Sequence, residues 1–147
     1  MKCDGCTACC KAFEIKELGK PAGEICKYVT ENGCSVHGTD KMPEECSLFE
    51  CSYYRVKKVN ENLRPDRCGI IFEKINDEIF FGTITDTVVL DKYANAQIDE
   101  FIKQGYSIIL KHLCLDELYI FSNNGKTREE VFEEARKAWL HLHMTQI

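Results

Sequence analysis

The chain has 147 residues, a formal net charge of −5 at pH 7 and ten cysteines, a length that suits one domain or two small lobes sharing an interface. With no basic tract beyond Arg55-Val56-Lys57-Lys58, the acidic balance argues against the nucleic-acid phosphate backbone as a partner. No apolar run is long enough for a bilayer, and Met1 to Cys6 lacks the apolar stretch of a signal peptide, so a soluble, cytoplasmic protein without membrane contact is expected.

In such a reducing compartment, closely spaced cysteines point to metal or redox chemistry rather than to a disulfide framework. Residues 1–68 hold nine of the ten cysteines but only 16 large apolar side chains (Val, Ile, Leu, Met, Phe, Trp, Tyr), whereas residues 69–147 hold 32. The first segment, rich in Gly and Pro turns, has too little apolar surface for a core and needs staples, which thiolate–metal bonds can supply. The reading is therefore a cysteine-cluster metal-binding module over 1–68 and an α+β unit over 69–147.

The module opens on Cys3-x-x-Cys6-x-x-Cys9-Cys10. Two residues between cysteines allow a tight turn that aims both sulfurs at one ion, and Gly5 permits the positive φ such a turn often needs. Adjacent side chains diverge, so Cys9 and Cys10 are not expected to ligate one ion alike. On a helix over 3–10, Cys3, Cys6 and Cys10 would share a face without Cys9, an arrangement suited to two metal centres. Cys26, Cys34, Cys46 and Cys51 follow at wider spacing, and His37 offers an imidazole three residues after Cys34, although a plain turn histidine is the commoner reading. The segments Pro43-Glu44-Glu45-Cys46 and Pro65-Asp66-Arg67-Cys68 form a short internal echo, each presenting a cysteine after a proline turn and a phenylalanine (Phe49, Phe72) beyond it. Tyr53-Tyr54, beside Cys51, would cover a metal site's sulfurs or form a recognition surface.

In the second half, Gly69–Ile75 and Glu78–Thr85 are Ile/Phe-rich strands joined by a hairpin at Asn76-Asp77. Asp91 caps a helix to Gln104 with Ala94, Ile98, Phe101 and Ile102 on one face and Gly105 at C′. Tyr106–Leu110 and Leu118–Phe121 are two more strands, the second ending at the turn Ser122-Asn123-Asn124-Gly125. Thr127-Arg128-Glu129-Glu130 is a capping box for a final helix whose buried stripe is Val131, Ala135, Ala138, Trp139 and Leu142. The order β-β-α-β-β-α is most simply a two-layer sheet with both helices on one face. Cys114 reads as core packing, and His141 and His143, two apart on a helix, do not share a face for a metal.

The run Cys3-x-x-Cys6-x-x-Cys9-Cys10, with Pro21-Ala22-Gly23-x-x-Cys26, Gly33-Cys34-x-x-His37-Gly38 and Pro43-x-x-Cys46-x-x-Phe49-x-Cys51, resembles the CxxCxxCC cysteine-cluster family, small proteins described as zinc- or iron-chelating domains. The resemblance spans residues 3–51, or to 68 if Arg64-Pro65-x-x-Cys68 is the equivalent late copy, and its most specific part is the opening run. The family often shows Arg-Pro before its late cysteine; here Met42-Pro43 precedes Cys46, while Arg64-Pro65 precedes Cys68. The resemblance implies metal chelation and leaves zinc and iron open. Some larger relatives act as protein lysine methylases and are thought to carry iron–sulfur centres, so it also leaves an enzymatic role open.

The ligand set expected is Cys3, Cys6, Cys9, Cys10, Cys26, Cys34, Cys46 and Cys51. Zinc, four-coordinate and structural, suits dispersed cysteines flanked by turns. An iron–sulfur cluster in electron transfer or a cluster-dependent protein modification is the alternative, because Cys3-x-x-Cys6-x-x-Cys9 has the spacing of three bacterial ferredoxin ligands, although no Cys-Pro follows. Loading eight thiolates with two Zn²⁺ ions would take the net charge to about −9. No phosphate loop, dinucleotide fingerprint or catalytic elbow is present, so the role expected is structural or interaction with a protein partner.

Overall fold

The computed structural model describes residues 5–49, 51–55, 64–85, 92–113 and 115–144. Cys3, the proposed cap Asp91 and Cys114 lie outside them, as do the side chains of Tyr54, Trp139, His141, Leu142 and His143.

The first half is built from short pieces. Helix α1 (Ala8–Ala12) is followed by a 3₁₀ turn (Lys16–Leu18), a two-stranded hairpin β1 (Val29–Thr30) and β2 (Gly33–Cys34), and single-turn helices α2 (Glu44–Leu48), α3 (Ser52–Arg55) and α4 (Pro65–Cys68). Its buried side chains are small or sulfur-bearing, chiefly Cys6, Ala12, Cys26 and Val36, with Ile15 the largest aliphatic. Phe13 and Phe49 pack ring against ring at 4.9 Å and tie α1 to the end of α2.

The second half carries a four-stranded sheet in the order β3-β4-β5-β6, from Ile70–Lys74, Ile79–Ile84, Ser107–His112 and Leu118–Phe121. The β3–β4 hairpin turns at Asn76-Asp77, where Asn76 Oδ1 accepts the Glu78 N–H at 2.8 Å. Strands β4 and β5 are parallel, joined by a crossover through α5 (Lys92–Lys103), and β6 returns antiparallel to β5. The α+β class and the element order agree with expectation; Gly105 adopts φ +95 just beyond α5. At α6 (Arg128–Met144), the Thr127 N–H donates to Glu130 Oε2 at 2.8 Å and the Glu130 N–H to Thr127 Oγ1 at 3.2 Å, the reciprocal pair of a capping box.

The layering departs from expectation, because the two helices lie on opposite faces of the sheet. Ile70, Phe72, Phe80, Ile84, Ile108 and Leu110 pack with Ala94, Ile98 and Phe101 of α5. Ile75, Ile79, Phe81, Ile109 and Ile120 pack with Val131, Ala135 and Ala138 of α6. The reason is that β4 and β5 are apolar at consecutive positions (Ile79-Phe80-Phe81 and Ile108-Ile109-Leu110), so each strand has two faces to cover. Gly82 leaves no room for a side chain on the α5 face: a Cβ there would stand 2.5 Å from Leu110 Cδ2 and 3.0 Å from Ile70 Cγ2.

The cysteine-rich segment meets the sheet at β3 through α3 and α4. Cys68, only 1% exposed, belongs to the core beneath α5, where its thiol donates to the Ile70 carbonyl at 3.4 Å. The internal echo therefore has two different outcomes. Pro43 and Pro65 each start a short helix, but Cys46 stays half-buried among other cysteines while Cys68 is packed into the apolar core.

Candidate metal centre

None of the eight described cysteines is joined to another in a disulfide. The electrostatic neighbours of each divide most of them into two groups. In the first, Cys10 hydrogen-bonds through its sulfur to Cys9 and Cys34, and Cys46 feels the charges of Cys10, Cys26 and Cys34. In the second, Cys6 feels the charges of Asp66 and Cys51. Helix α1 begins only at Ala8, so Cys6 precedes it and does not share a helical face with Cys10, contrary to the expectation over 3–10.

Backbone hydrogen bonds assemble the first group. The Cys26 N–H donates to the Cys10 carbonyl at 3.1 Å, drawing the loop before the hairpin onto α1. Cys34 ends β2 opposite Val29, and its sulfur accepts the N–H groups of Val36 and His37. Those two donors are supplied by the turn Cys34-Ser35-Val36-His37, a knuckle that stabilises thiolate over thiol. Glu17 accepts the Glu44 N–H at 3.1 Å and so fixes the start of α2, which carries Cys46. In the second group, Cys6 accepts N–H groups from Ala8 and Asp66, the latter from the first turn of α4.

Two glycines bring the opening segment against the hairpin. Gly33 has φ +104, and a Cβ on it would come within 3.3 Å of Gly5 Cα, so the backbones touch where a side chain would hold them apart. Gly5, Gly33, Cys34 and His37 line a cavity of about 270 Å³ with Thr30, Asn32, Ser35 and Thr39.

Ionisation differs across the thiols. The hydrogen bond from Cys9 is the largest influence on Cys10, whose pKa is pushed down to about 7 against the opposing effect of burial; Cys34 and the Lys20 ammonium lower it further. Burial pushes Cys46 up to about 11, with the neighbouring Cys10, Cys26 and Cys34 charges adding to it. Burial likewise raises Cys34 and Cys6, each opposed by its two backbone N–H donors. Desolvation lowers His37, which favours the neutral imidazole.

Sequence reasoning missed Lys20. This residue is 7% exposed, and its ammonium donates to the carbonyls of Phe13 at 2.5 Å, Pro21 at 3.0 Å and Lys11 at 3.4 Å. It satisfies carbonyls at the end of α1 and places a positive charge beside Cys10. Its own sequence neighbourhood, Leu18-Gly19-Lys20-Pro21, has nothing to distinguish a buried lysine from a surface one.

Among the described residues, no three or more His, Cys, Asp or Glu side chains are arranged so that they could hold a metal ion as they stand. The thiols of the first group are neighbours rather than a closed coordination sphere, and among the described residues the second group contains Cys6 and Cys51 of the expected ligands. No helix among the described residues is long and apolar enough to cross a membrane. Comparison with known proteins found no matching family model, no matching curated protein and no matching solved structure.

Proposed function

We propose that this protein binds metal through cysteine thiolates at two centres, with zinc as the ion, in a structural role or one of interaction with a protein partner. The observation that carries the reading is the gathering of Cys10, Cys26, Cys34 and Cys46, drawn from four separate elements or loops, within electrostatic reach of one another and without a disulfide among them. Four soft donors supplied from four places match what a structural zinc site requires, and the Cys34 knuckle has its N–H donors already in place. Like-charged thiolates this close repel one another; a divalent cation turns that repulsion into attraction and closes the sphere. Cys6 and Cys51 are the described part of the second centre, to which Cys3 would contribute. Cys9 serves the first centre through its hydrogen bond to Cys10. Cys68 takes no part, because its thiol is spent on the Ile70 carbonyl within the apolar core. So many reduced thiols suit the cytoplasm.

The test is elemental analysis with an optical spectrum on protein purified without oxygen or added metal. Stoichiometric zinc and a colourless solution are expected. Iron with acid-labile sulfide and a broad visible band would replace zinc by an iron–sulfur cluster and turn attention to electron transfer or protein modification. Protein carrying neither metal, and unable to take up zinc or iron when reduced, would end the reading.

A further inference from the structure

The two edges of the sheet are treated differently. At β3 the edge lies beside α3 and α4. At β6, among the described residues, nothing pairs with the outer side of the strand. The hydrogen bond from the His112 N–H to the Glu117 carbonyl at 3.1 Å sets the phase of the β5–β6 ladder, whose register pairs Leu110 with Tyr119 and Ile108 with Phe121. In an antiparallel ladder, residues alternate between bonding their partner and facing away. Tyr119 and Phe121 therefore bond inward, while Leu118 and Ile120 turn both N–H and C=O outward.

This open edge also lacks the usual protection. Glu117-Leu118-Tyr119-Ile120-Phe121-Ser122 has no lysine, no proline and no bulge, and its single charge, Glu117, accepts a hydrogen bond from Tyr119 Oη at 2.8 Å. Leu118, Tyr119 and Phe121 are 40%, 43% and 36% exposed, and Phe132 of α6 adds 43% beside them. Such an edge invites another strand, and the side chains indicate which strand.

We infer that β6 is a self-association edge: two copies of this chain pair antiparallel through β6 about a two-fold axis at Ile120, making one eight-stranded sheet. The register follows from the outward-facing peptide groups. Ile120 bonds Ile120 of the second copy, Leu118 bonds its Ser122, and Tyr119 lies directly across from its Phe121. Because the axis is two-fold, that aromatic pair occurs twice, on the face of the sheet that carries α5.

On the α6 face, Leu118, Ile120 and Phe132 form a groove bordered by Arg128, Glu129 and Glu133. The axis joins the two grooves, so Leu118, Ile120 and Phe132 of one copy adjoin those of the other, while each border carries one cation and two carboxylates. The exposed apolar side chains and the strand backbone together withdraw on the order of 1,000 Å², at the low end for a specific interface. The expected dimer consequently dissociates on dilution.

The experiment is sedimentation equilibrium on the full, metal-replete chain over a concentration series up to its solubility limit. A monomer–dimer equilibrium is expected. Tyr119→Lys and Phe121→Glu each alter an exposed side chain, and each should weaken the dimer about tenfold or more through loss of both aromatic pairs. Mixing the two variants sets lysine against glutamate in one pair and restores Phe121 against Tyr119 in the other, so a heterodimer stronger than either homodimer is expected. Circular dichroism establishes that each variant is folded. A wild-type chain that stays monomeric throughout overturns the inference, as does a dimer indifferent to both substitutions. Variants that weaken the dimer separately but show no recovery on mixing overturn the register at Ile120.

Discussion

The segment before Gly69 and the sheet after it are held together by different means. In the sheet, Ile70, Ile71, Ile79, Ile108 and Leu110 are essentially removed from water, and aliphatic layers on both faces account for the stability. In the earlier segment, two-residue strands and single-turn helices bury Cys6, Ala12 and Cys26, and backbone bonds such as Cys26 to Cys10 do the joining. Even the buried ammonium of Lys20 is spent on carbonyls. The contrast teaches that similar chain lengths reach order by burial where large aliphatics are plentiful and by point-to-point links where they are scarce. On the proposed reading, metal supplies the strongest of those links.

Metal removal should separate the two regions most sharply. Structural zinc contributes apparent free energies on the order of 10 kcal/mol, more than any single side chain. Stripping the metal with a chelator should abolish amide-exchange protection in residues 5–49 and leave protection in β3, β4 and β5. Cys34→Ser should reproduce that pattern without chelator. Uniform loss across the chain would mean that the sheet depends on the metal too, and no loss anywhere would remove metal from the account of stability.

Leu110→Ala, at a position fully buried between β4 and α5, should cost about 2–5 kcal/mol in denaturant unfolding of the sheet. If the contrast holds, metal stoichiometry stays unchanged. A variant that loses metal along with stability would show the regions to be one cooperative unit.

Adding a methyl group tests both kinds of tightness. Gly82→Ala drives a Cβ into Leu110 and Ile70 and should cost about 1–3 kcal/mol by overpacking. Gly33→Ala meets Gly5 at 3.3 Å with a backbone at φ +104, so about 1–2 kcal/mol of conformational strain is expected, read as weaker metal retention in competition with a chelator. Equal effects of both substitutions on metal retention would erase the distinction.

The smallest effect concerns Glu73, whose carboxyl is raised above its ordinary 4.5 by burial. Its proton is held more tightly folded than unfolded, so its support for the fold is full below about 4.5 and is lost as pH climbs through the raised value. Glu73→Gln has no charge to bury and should raise the unfolding midpoint at neutral pH, with the gain vanishing below about 4.5. A gain that persists in acid would assign it to packing instead.

Local patterns were legible in the sequence wherever neighbours along the chain settle the outcome. The hairpin at Asn76-Asp77, strand β6 and the Thr127–Glu130 box each need only residues within a few positions of one another, because turn geometry and capping are short-range. The cysteine-poor, apolar-rich second half and its α+β class follow from composition and period in the same way. Partition of the thiols was not legible: Cys6 and Cys10 share one spaced run, yet only Cys10 lies on α1, and Asp66, sixty residues on, supplies an N–H to Cys6. Two similar Pro-x-x-Cys segments ended in unlike surroundings, since only packing against Ile70 and α5 decides that Cys68 is core. The parallel pairing of β4 with β5, the placement of α5 and α6 on opposite faces and the burial of Lys20 belong to the tertiary structure as well. Each depends on which distant surfaces meet, and apolar burial rewards any partner of suitable shape, so the sequence alone names what must be covered and the fold decides by what.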